Sequence, residues 1–254
     1  MTDTSKAGLP SEAVELPSKG LLYPKENPLS SGVVEMKYMT AREEDILTNQ
    51  NFIKQGVVFD KLLRSLIVSP INYDDLTLGD KNAILIAGRI LGYGKQYVVS
   101  VTHPQTGEPE EVSIDLTAIK NKEVDYSTFN NINEFTYQLP TSNNEVTFKV
   151  LTHKDERMIE EELKSLKKLN MYNDVTVRLK HAIIAINGDR DAKAVRDFVD
   201  NHMLATDSRA FRKHMREITP DLNLTINIEF KDGYIQEGVD LPLGISFFYP
   251  STEL

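Results

Sequence analysis

The sequence predicts an α+β fold, with a mainly helical body, three β-hairpins and an extended proline-containing N-terminal arm. Apolar residues recur at spacings of three and four in several long segments, which is the period of an amphipathic helix. Three pairs of segments alternate apolar and polar residues on either side of a polar turn, which is typical of hairpins. Residues 1–31 show no regular hydrophobic period.

The arm, residues 1–31, is expected to be extended, because proline restricts the backbone and removes a hydrogen-bond donor. Its four prolines are Pro10, Pro17, Pro24 and Pro28. A short strand is predicted over residues 32–39. A helix over 41–49 follows it, because Thr40 and Glu43 have the spacing of a capping box.

The stretch at 78–116 is the centre of the prediction. Asp80 is expected to cap a helix over 80–91, because its carboxylate can accept hydrogen bonds from free backbone N–H groups. Apolar residues cover most of this helix, so we expect it to be buried. Gly92 and Gly94 are expected to end it, since glycine adopts positive φ without strain.

The remaining elements follow from the same patterns. Further helices are predicted over 58–67, 154–169, 174–186, 190–203 and 207–218. The hairpins pair 97–101 with 112–116, 135–139 with 146–150, and 224–230 with 234–248, the last with an irregular bend at 241–244. After the arm, two lobes are expected, residues 32–150 and 151–254, although a single body fits the same pattern.

Composition argues against several classes of protein. The chain has 254 residues and no cysteine, which excludes disulfides and thiolate metal sites and favours a cytosolic protein. Its formal net charge of −9 disfavours general affinity for nucleic acid, because phosphate would be repelled. No apolar run approaches the roughly 20 residues that span a bilayer, and the N-terminus lacks the apolar core of a signal peptide. We therefore expect no membrane association.

No group of residues indicates an enzyme. The five histidines form neither an HExxH motif nor a close metal-ligand pair. The glycines at the end of the central helix do not follow a strand, so they do not indicate a phosphate-binding loop. The carboxylates at 160–162 are successive on a helix and are expected to be a solvated face. We expect no catalytic residue, no cofactor and no metal.

Two groups of residues are candidates for partner binding. The first consists of Leu21, Leu22 and Tyr23, an apolar group in an otherwise polar arm. Such a group must be buried, either on the core of its own chain or on a neighbouring subunit. The sequence leaves both interpretations open.

The second group is a basic stripe at spacings of three and four. It consists of Arg209, Arg212, Lys213 and Arg216. If the stripe binds nucleic acid, the chain is a nucleic-acid-binding module, which is the alternative function. Otherwise the stripe pairs with the acidic helix near 160–162 or with an acidic protein partner. We favour protein, because domains that bind phosphate are usually basic overall.

Five stretches occur in a characteristic order and spacing. They are LPSKGLLYP (16–24), MTAREEDILTN (39–49), GDKNAILIAGRILGYGKQY (79–97), DSRAFRKHMREITPDLNL (207–224) and the closing FFYP (247–250). Together they resemble the T4-type bacteriophage baseplate protein family, which is associated with the baseplate hub. The resemblance runs from about residue 16 to residue 250.

The resemblance implies a non-enzymatic structural or assembly protein of the baseplate hub of a contractile-tailed bacteriophage, acting through protein–protein contacts. It implies other tail and baseplate proteins as partners, and self-association is a further option. It implies a place in the host cytoplasm during assembly and then in the virion tail baseplate. A permanent virion component and a transient assembly factor both fit.

The chain departs from this family at one hairpin tip. Relatives often carry a Cys-Pro-x-Cys knuckle, where this chain has His103, Pro104, Gln105 and Thr106. A zinc ion held by thiolates would staple such a tip. Because the thiolates are absent here, we expect cross-strand pairs and packing to hold the hairpin, without stoichiometric zinc.

Overall fold

The computed structural model describes residues 10–241 and 243–248, and in this part the α+β class is confirmed. Residues 1–9 of the arm, Pro242 of the predicted bend, and Tyr249 and Pro250 of the FFYP stretch lie outside the described residues. The described part contains eight α-helices and four small antiparallel sheets.

Helices and strands alternate irregularly along the chain. The helices are α1 (Ala41–Thr48), α2 (Gln50–Gln55), α3 (Val58–Leu66), α4 (Leu78–Tyr93), α5 (His153–Lys168), α6 (Asp174–Ala182), α7 (Ala192–Asp197) and α8 (Ala205–Ile218). The strands are β1 (Ser11–Glu15), β2 (Val33–Lys37), β3 (Gln96–Thr102), β4 (Pro109–Asp115), β5 (Phe135–Gln138), β6 (Glu145–Phe148), β7 (Ile183–Ile186), β8 (Thr225–Glu229) and β9 (Ile235–Asp240). The α2 helix was not predicted from the sequence.

The three predicted hairpins are confirmed as β3–β4, β5–β6 and β8–β9. Their registers place apolar residues opposite one another, as Val99 opposite Val112 and Phe135 opposite Phe148 show. In the third hairpin the return strand is shorter than predicted, because β9 ends at Asp240 and the described residues then form the 3-10 turn Ile245–Phe248.

The predicted helix over 174–186 is wrong in its C-terminal part. The helix ends at Ala182, and β7 follows at once, with Ala185 opposite Thr147 of β6. A short apolar run fits either a helix or a buried strand. Here the free edge of β6 decides, because pairing with it satisfies the backbone groups of β7.

The arm also contains regular structure that its prolines did not predict. β1 pairs antiparallel with β2, and Val14 lies opposite Val34. The backbone N–H of Leu16 then donates to the carbonyl of Gly32 at 2.8 Å, which closes the loop between the two strands. Residues 11–31 of the arm therefore form a β-strand followed by a loop whose two ends are joined by this hydrogen bond.

Two hydrophobic cores lie inside the described part of the chain. The first surrounds α4 and gathers side chains from α1, α3, β2, β3 and the final 3-10 turn. The second lies between the β5–β6–β7 sheet and helices α6, α7 and α8. The final hairpin packs on the first core and β5–β6 on the second, so the cores do not follow the predicted lobe boundaries, which remain a prediction.

Helix α4 is buried on most of its surface, as predicted, and even Arg89 is only 2% exposed. The Arg89 guanidinium donates to the carbonyl of Phe247 at 2.8 Å and to that of Gly94 at 3.0 Å. Gly94, with φ 80°, ends the helix as expected. Gly92 instead lies within α4, where the Met39 side chain leaves no room for a Cβ.

The role predicted for Asp80 is wrong, because its carboxylate does not cap α4. Thr77 is the N-cap residue, and Asp80 lies one turn inside at 0% exposure. Its oxygens accept hydrogen bonds from the Ser18 backbone N–H at 2.9 Å, from the Ser18 hydroxyl at 2.7 Å, and from the Tyr23 hydroxyl. This carboxylate therefore fastens the arm loop to the central helix.

Burial dominates the electrostatics of this junction. It raises the pKa of Asp80, although the hydrogen bonds from Tyr23 and Ser18 act in the opposite direction. Burial, and then the nearby Asp80, raise the pKa of Tyr23 well above its usual value, so its hydroxyl stays protonated and can donate. The Tyr23 oxygen also accepts from the Thr77 N–H at 3.0 Å.

A second buried carboxylate connects β2, α1 and α3. The predicted capping box of Thr40 and Glu43 is confirmed. Glu43 also accepts from Lys37 Nζ at 2.8 Å and from the Ser65 hydroxyl at 2.6 Å. Burial alone would raise the pKa of Glu43, but the hydrogen bonds from Lys37, Ser65 and Thr40 together lower it to about 2.

We expect Tyr23→Phe to destabilise the protein by about 1–3 kcal/mol, because a buried carboxylate loses one of its donors. Tyr97→Phe is the matched control, since Tyr97 is as buried, at 3%, and its hydroxyl makes no hydrogen bond within the described residues. Urea unfolding of both variants provides the comparison. Equal losses in the two variants would contradict a special role for the Tyr23 hydroxyl.

We also expect a pH-dependent contribution from Glu43. Because its pKa falls from 4.5 to about 2 on folding, its stabilisation is present above pH 4.5 and is lost as the pH falls towards 2. The difference in unfolding free energy between wild type and Glu43→Gln should therefore narrow by about 3 kcal/mol over that range. The exposed neighbour variant Asp45→Asn serves as the control, and a difference for Glu43→Gln that does not change with pH would refute this account.

Candidate interaction surface

The apolar group of the arm lies against the chain's own two cores. Leu22, 1% exposed, enters the second core, and Tyr23, 3% exposed, enters the first. Leu21 is half-buried against the second core. Of the two interpretations that the sequence left open, the structure therefore places Leu22 and Tyr23 inside their own fold.

The basic stripe lies on the outer face of α8, opposite Phe211, which is fully buried in the second core. All four of its cations are exposed. Arg212 donates from Nε to the Ser208 carbonyl at 3.3 Å, and Lys213 pairs loosely with Glu217 at 3.6 Å. Within the described residues, the side chains of Arg209 and Arg216 have no hydrogen-bond or ion-pair partner.

The stripe does not pair with the acidic helix of its own chain, which was one of the two expectations. Glu160 lies 3.9 Å from Lys164, and Glu162 lies 3.0 Å from His181 Nε2. Thus no ion pair joins residues 160–162 to α8 in the part of the chain that the structure describes. Of the two pairings with protein, the one with an external acidic partner remains.

A groove of about 800 Å³ runs between α6 and α8, beside the stripe. Its apolar lining residues are Leu151, Val175, Leu179, Met215 and Leu222. Its basic residues are Lys122, Arg178, Arg212, Lys213 and Arg216, and its acidic residues are Asp174, Glu217 and Asp221. This volume lies within the range of about 300–1,000 Å³ that is usual for binding pockets.

The turn between α5 and α6 exposes an apolar surface next to this groove, which we call the apolar tip. It consists of Leu169, Met171, Tyr172 and Val175, which are 69%, 45%, 75% and 41% exposed. Single exposed apolar residues are common, whereas a contiguous group of them marks an interaction surface. The sequence analysis missed the tip, although the charge-poor stretch LNMYNDV between two charged helices could have indicated it.

Acid, imidazole, amine and phenol groups meet between helices α3, α4 and α5. Asp60 of α3 accepts from Lys81 Nζ at 2.7 Å and from the Tyr73 hydroxyl at 3.0 Å. His153 of α5 lies with Nδ1 3.3 Å from Lys81 Nζ and with Nε2 3.3 Å from Asp60. Burial, and then Lys81, lower the pKa of His153, which therefore stays neutral at neutral pH. Asp60 and Lys81 form an ion pair between α3 and α4, while His153 Nε2 makes no hydrogen bond within the described residues.

His103 organises the tip of the β3–β4 hairpin. Its Nδ1 accepts from the backbone N–H groups of Gln105 at 3.2 Å and Thr106 at 3.3 Å, so Nε2 carries the proton. The ring packs against Phe230, with centroids 4.4 Å apart, and Nε2 lies 3.3 Å from Asp232. His103 thus joins the tip of β3–β4 to the tip of β8–β9.

These residues do not fit a zinc site. Zinc in proteins takes four nitrogen, sulfur or oxygen ligands, but the available His103 nitrogen already accepts two backbone hydrogen bonds. Within residues 10–241 and 243–248, no three His, Cys, Asp or Glu side chains are grouped so that they could hold a metal ion. A search of the same residues finds no helix with the length and apolar character to cross a bilayer.

The described residues form an α+β fold. The particular family follows from a comparison with family models: residues 16–241 match the family described as T4 bacteriophage base plate protein. The chain belongs to this family, which has a structural role in the phage baseplate. No curated protein and no solved structure gives a significant match to the chain.

We expect the purified full chain to contain no stoichiometric zinc, because hydrogen bonds of His103 take the place of metal ligands at the tip. Elemental analysis checks the metal content, and thermal melts with and without EDTA should coincide. As a positive control, His103→Ala should lower the unfolding free energy by about 1–3 kcal/mol, since two backbone donors lose their acceptor. One zinc per chain would reject this expectation.

Proposed function

We propose that this protein is a non-enzymatic structural or assembly component of the baseplate hub of a contractile-tailed bacteriophage, and that it acts through protein–protein contacts. The basic stripe is the observation that supports contact as the mechanism. It places exposed cations on a chain whose net charge is −9. A local surface of one sign on a body of the other sign attracts and orients a complementary partner.

The absence of enzymatic activity is part of this proposal. Its support is the ion pair between Asp60 and Lys81, in which each charge is neutralised by the other. We place the protein in the host cytoplasm while the hub is built, and in the tail baseplate of the virion afterwards. The proposal covers both a permanent component and a factor that leaves after assembly.

Deletion of the encoding gene tests the proposal. Infection with the deletion phage should yield particles without normal baseplates, as seen by electron microscopy, and the gene supplied in trans should restore them. Quantitative proteomics of purified virions then distinguishes a component with fixed copy number from an assembly factor. Normal baseplates from the deletion phage would reject the proposed function.

Nucleic-acid binding is the alternative use of the same stripe. A titration with duplex DNA at low salt gives it the best chance, because release of counterions is then most favourable. No binding under these conditions removes the alternative. Binding that weakens steeply with salt and is lost in Arg212→Glu would overturn the assignment of the stripe to a protein partner.

We expect Arg212→Glu to impair baseplate assembly while the isolated protein keeps its melting temperature. The reason is that Arg212 is exposed and makes one hydrogen bond, of 3.3 Å, within the described residues. Such surface changes usually alter stability by no more than about 0.5 kcal/mol. Trans-complementation of the deletion phage measures assembly, and circular dichroism measures the melt. Arg42→Glu, an exposed change on α1, is the matched control. A collapsed melt for Arg212→Glu would show that the residue braces its own fold.

A further inference from the structure

In the groove beside α8, the acidic residues are paired within the chain, whereas the basic residues are only partly paired. Each of its carboxylates is engaged within the chain: Asp174 with Arg178 at 3.4 Å, Glu217 with Lys213 at 3.6 Å, and Asp221 with Asn82 at 3.0 Å. The acidic residues therefore offer little to a further partner.

The basic residues are only partly engaged. Arg178 pairs with Glu156 at 2.7 Å, and Lys122 donates to the Thr219 carbonyl at 3.0 Å at the end of α8. Arg216 makes no side-chain hydrogen bond or ion pair within the described residues, and Arg212 makes only the bond to Ser208. The groove therefore has unpaired positive charge. It lies along one turn of α8, from Arg212 to Arg216.

The apolar part of the groove continues onto the apolar tip. Val175 belongs to both surfaces, and Leu179, one turn further along α6, lies deeper at 3% exposure. Met215 faces them from α8. The two helices thus form the walls of a channel with an apolar floor, and an amphipathic helix lays its apolar face into such a groove.

We propose that this groove binds an acidic amphipathic helix of another protein of the baseplate. The apolar stripe of that helix would pack against Val175, Leu179 and Met215, and its carboxylates would pair with Arg212 and Arg216. The inference rests on the proposed function and adds the chemistry of the partner to it.

Two other occupants of the groove, a second copy of this chain and nucleic acid, fit its charge and its apolar residues less well. A second copy of this chain carries the same net charge of −9, so the two bodies repel each other. Nucleic acid could pair its phosphates with Arg212 and Arg216. Its charged backbone, however, has no apolar stripe that could pack on the floor of the groove or on the apolar tip. An acidic helix satisfies both the cations and the apolar residues.

The test is a binding titration of the full chain with a fluorescent synthetic helix of about 18 residues, or about five turns. One face of this helix is leucine and the other is glutamate; a second peptide carries lysine in place of glutamate. We expect saturable binding of the glutamate helix and at least about tenfold weaker binding of the lysine helix, as measured by fluorescence anisotropy.

Three double variants locate the site. Arg212→Glu with Arg216→Glu should weaken binding of the glutamate helix by at least about tenfold, because attraction becomes repulsion. Arg42→Glu with Arg196→Glu makes the same change of charge at exposed positions elsewhere and should leave binding unchanged. A third variant, Leu169→Ser with Tyr172→Ser, should also weaken binding, since it removes the most exposed apolar surface of the tip. Melts by circular dichroism identify any variant that fails to fold.

Several results would overturn the inference. These are equal affinity for the two peptides, full affinity in the Arg212/Arg216 double variant, preference for duplex DNA over the glutamate helix, or a dimer in sedimentation that this double variant dissociates. None of these results would contradict the proposed role in the baseplate, because the deletion phage tests that role separately.

Discussion

A buried carboxylate, that of Asp80, ties the first part of the chain to the rest of it. An unpaired charge in a protein interior costs several kcal/mol, and Ser18 and Tyr23 supply the hydrogen bonds that offset this cost. Their positions fix the path of the arm across α4. Leu22 and Tyr23 are adjacent in sequence but enter different cores, so one loop holds both cores together.

Because the arm loop packs on its own chain, the surfaces that are open to partners lie on the outer helices. The helices α6 and α8 have one face in the second core, and the groove and the basic stripe lie on their outer side, next to the apolar tip. The partly buried ion pair of Asp60 and Lys81 joins α3 to α4.

Local signals predicted most of the helices and all three hairpins. The capping box of Thr40 and Glu43 and the period of α5 and α8 each arise within a few residues, so nearest neighbours decide them. Two expectations failed where a distant partner decided. The run at 183–186 became a strand because β6 offered an edge, and Asp80 bonds to the arm instead of capping α4. The pairing of residues 11–15 with β2 also depends on a distant segment and was not predicted.

The sequence by itself determined the α+β class, the order of the elements, the exposed basic stripe and, through ordered motifs, the family. Tertiary structure decided what those residues meet. Ser18 lies 62 positions from Asp80, and Arg89 lies 158 positions from Phe247, the residue whose carbonyl it binds. The groove likewise gathers side chains from Lys122 to Leu222. Periodicity reports which face of an element is apolar, but the partner of a buried charge depends on how distant segments pack, and that packing is not encoded in any local spacing.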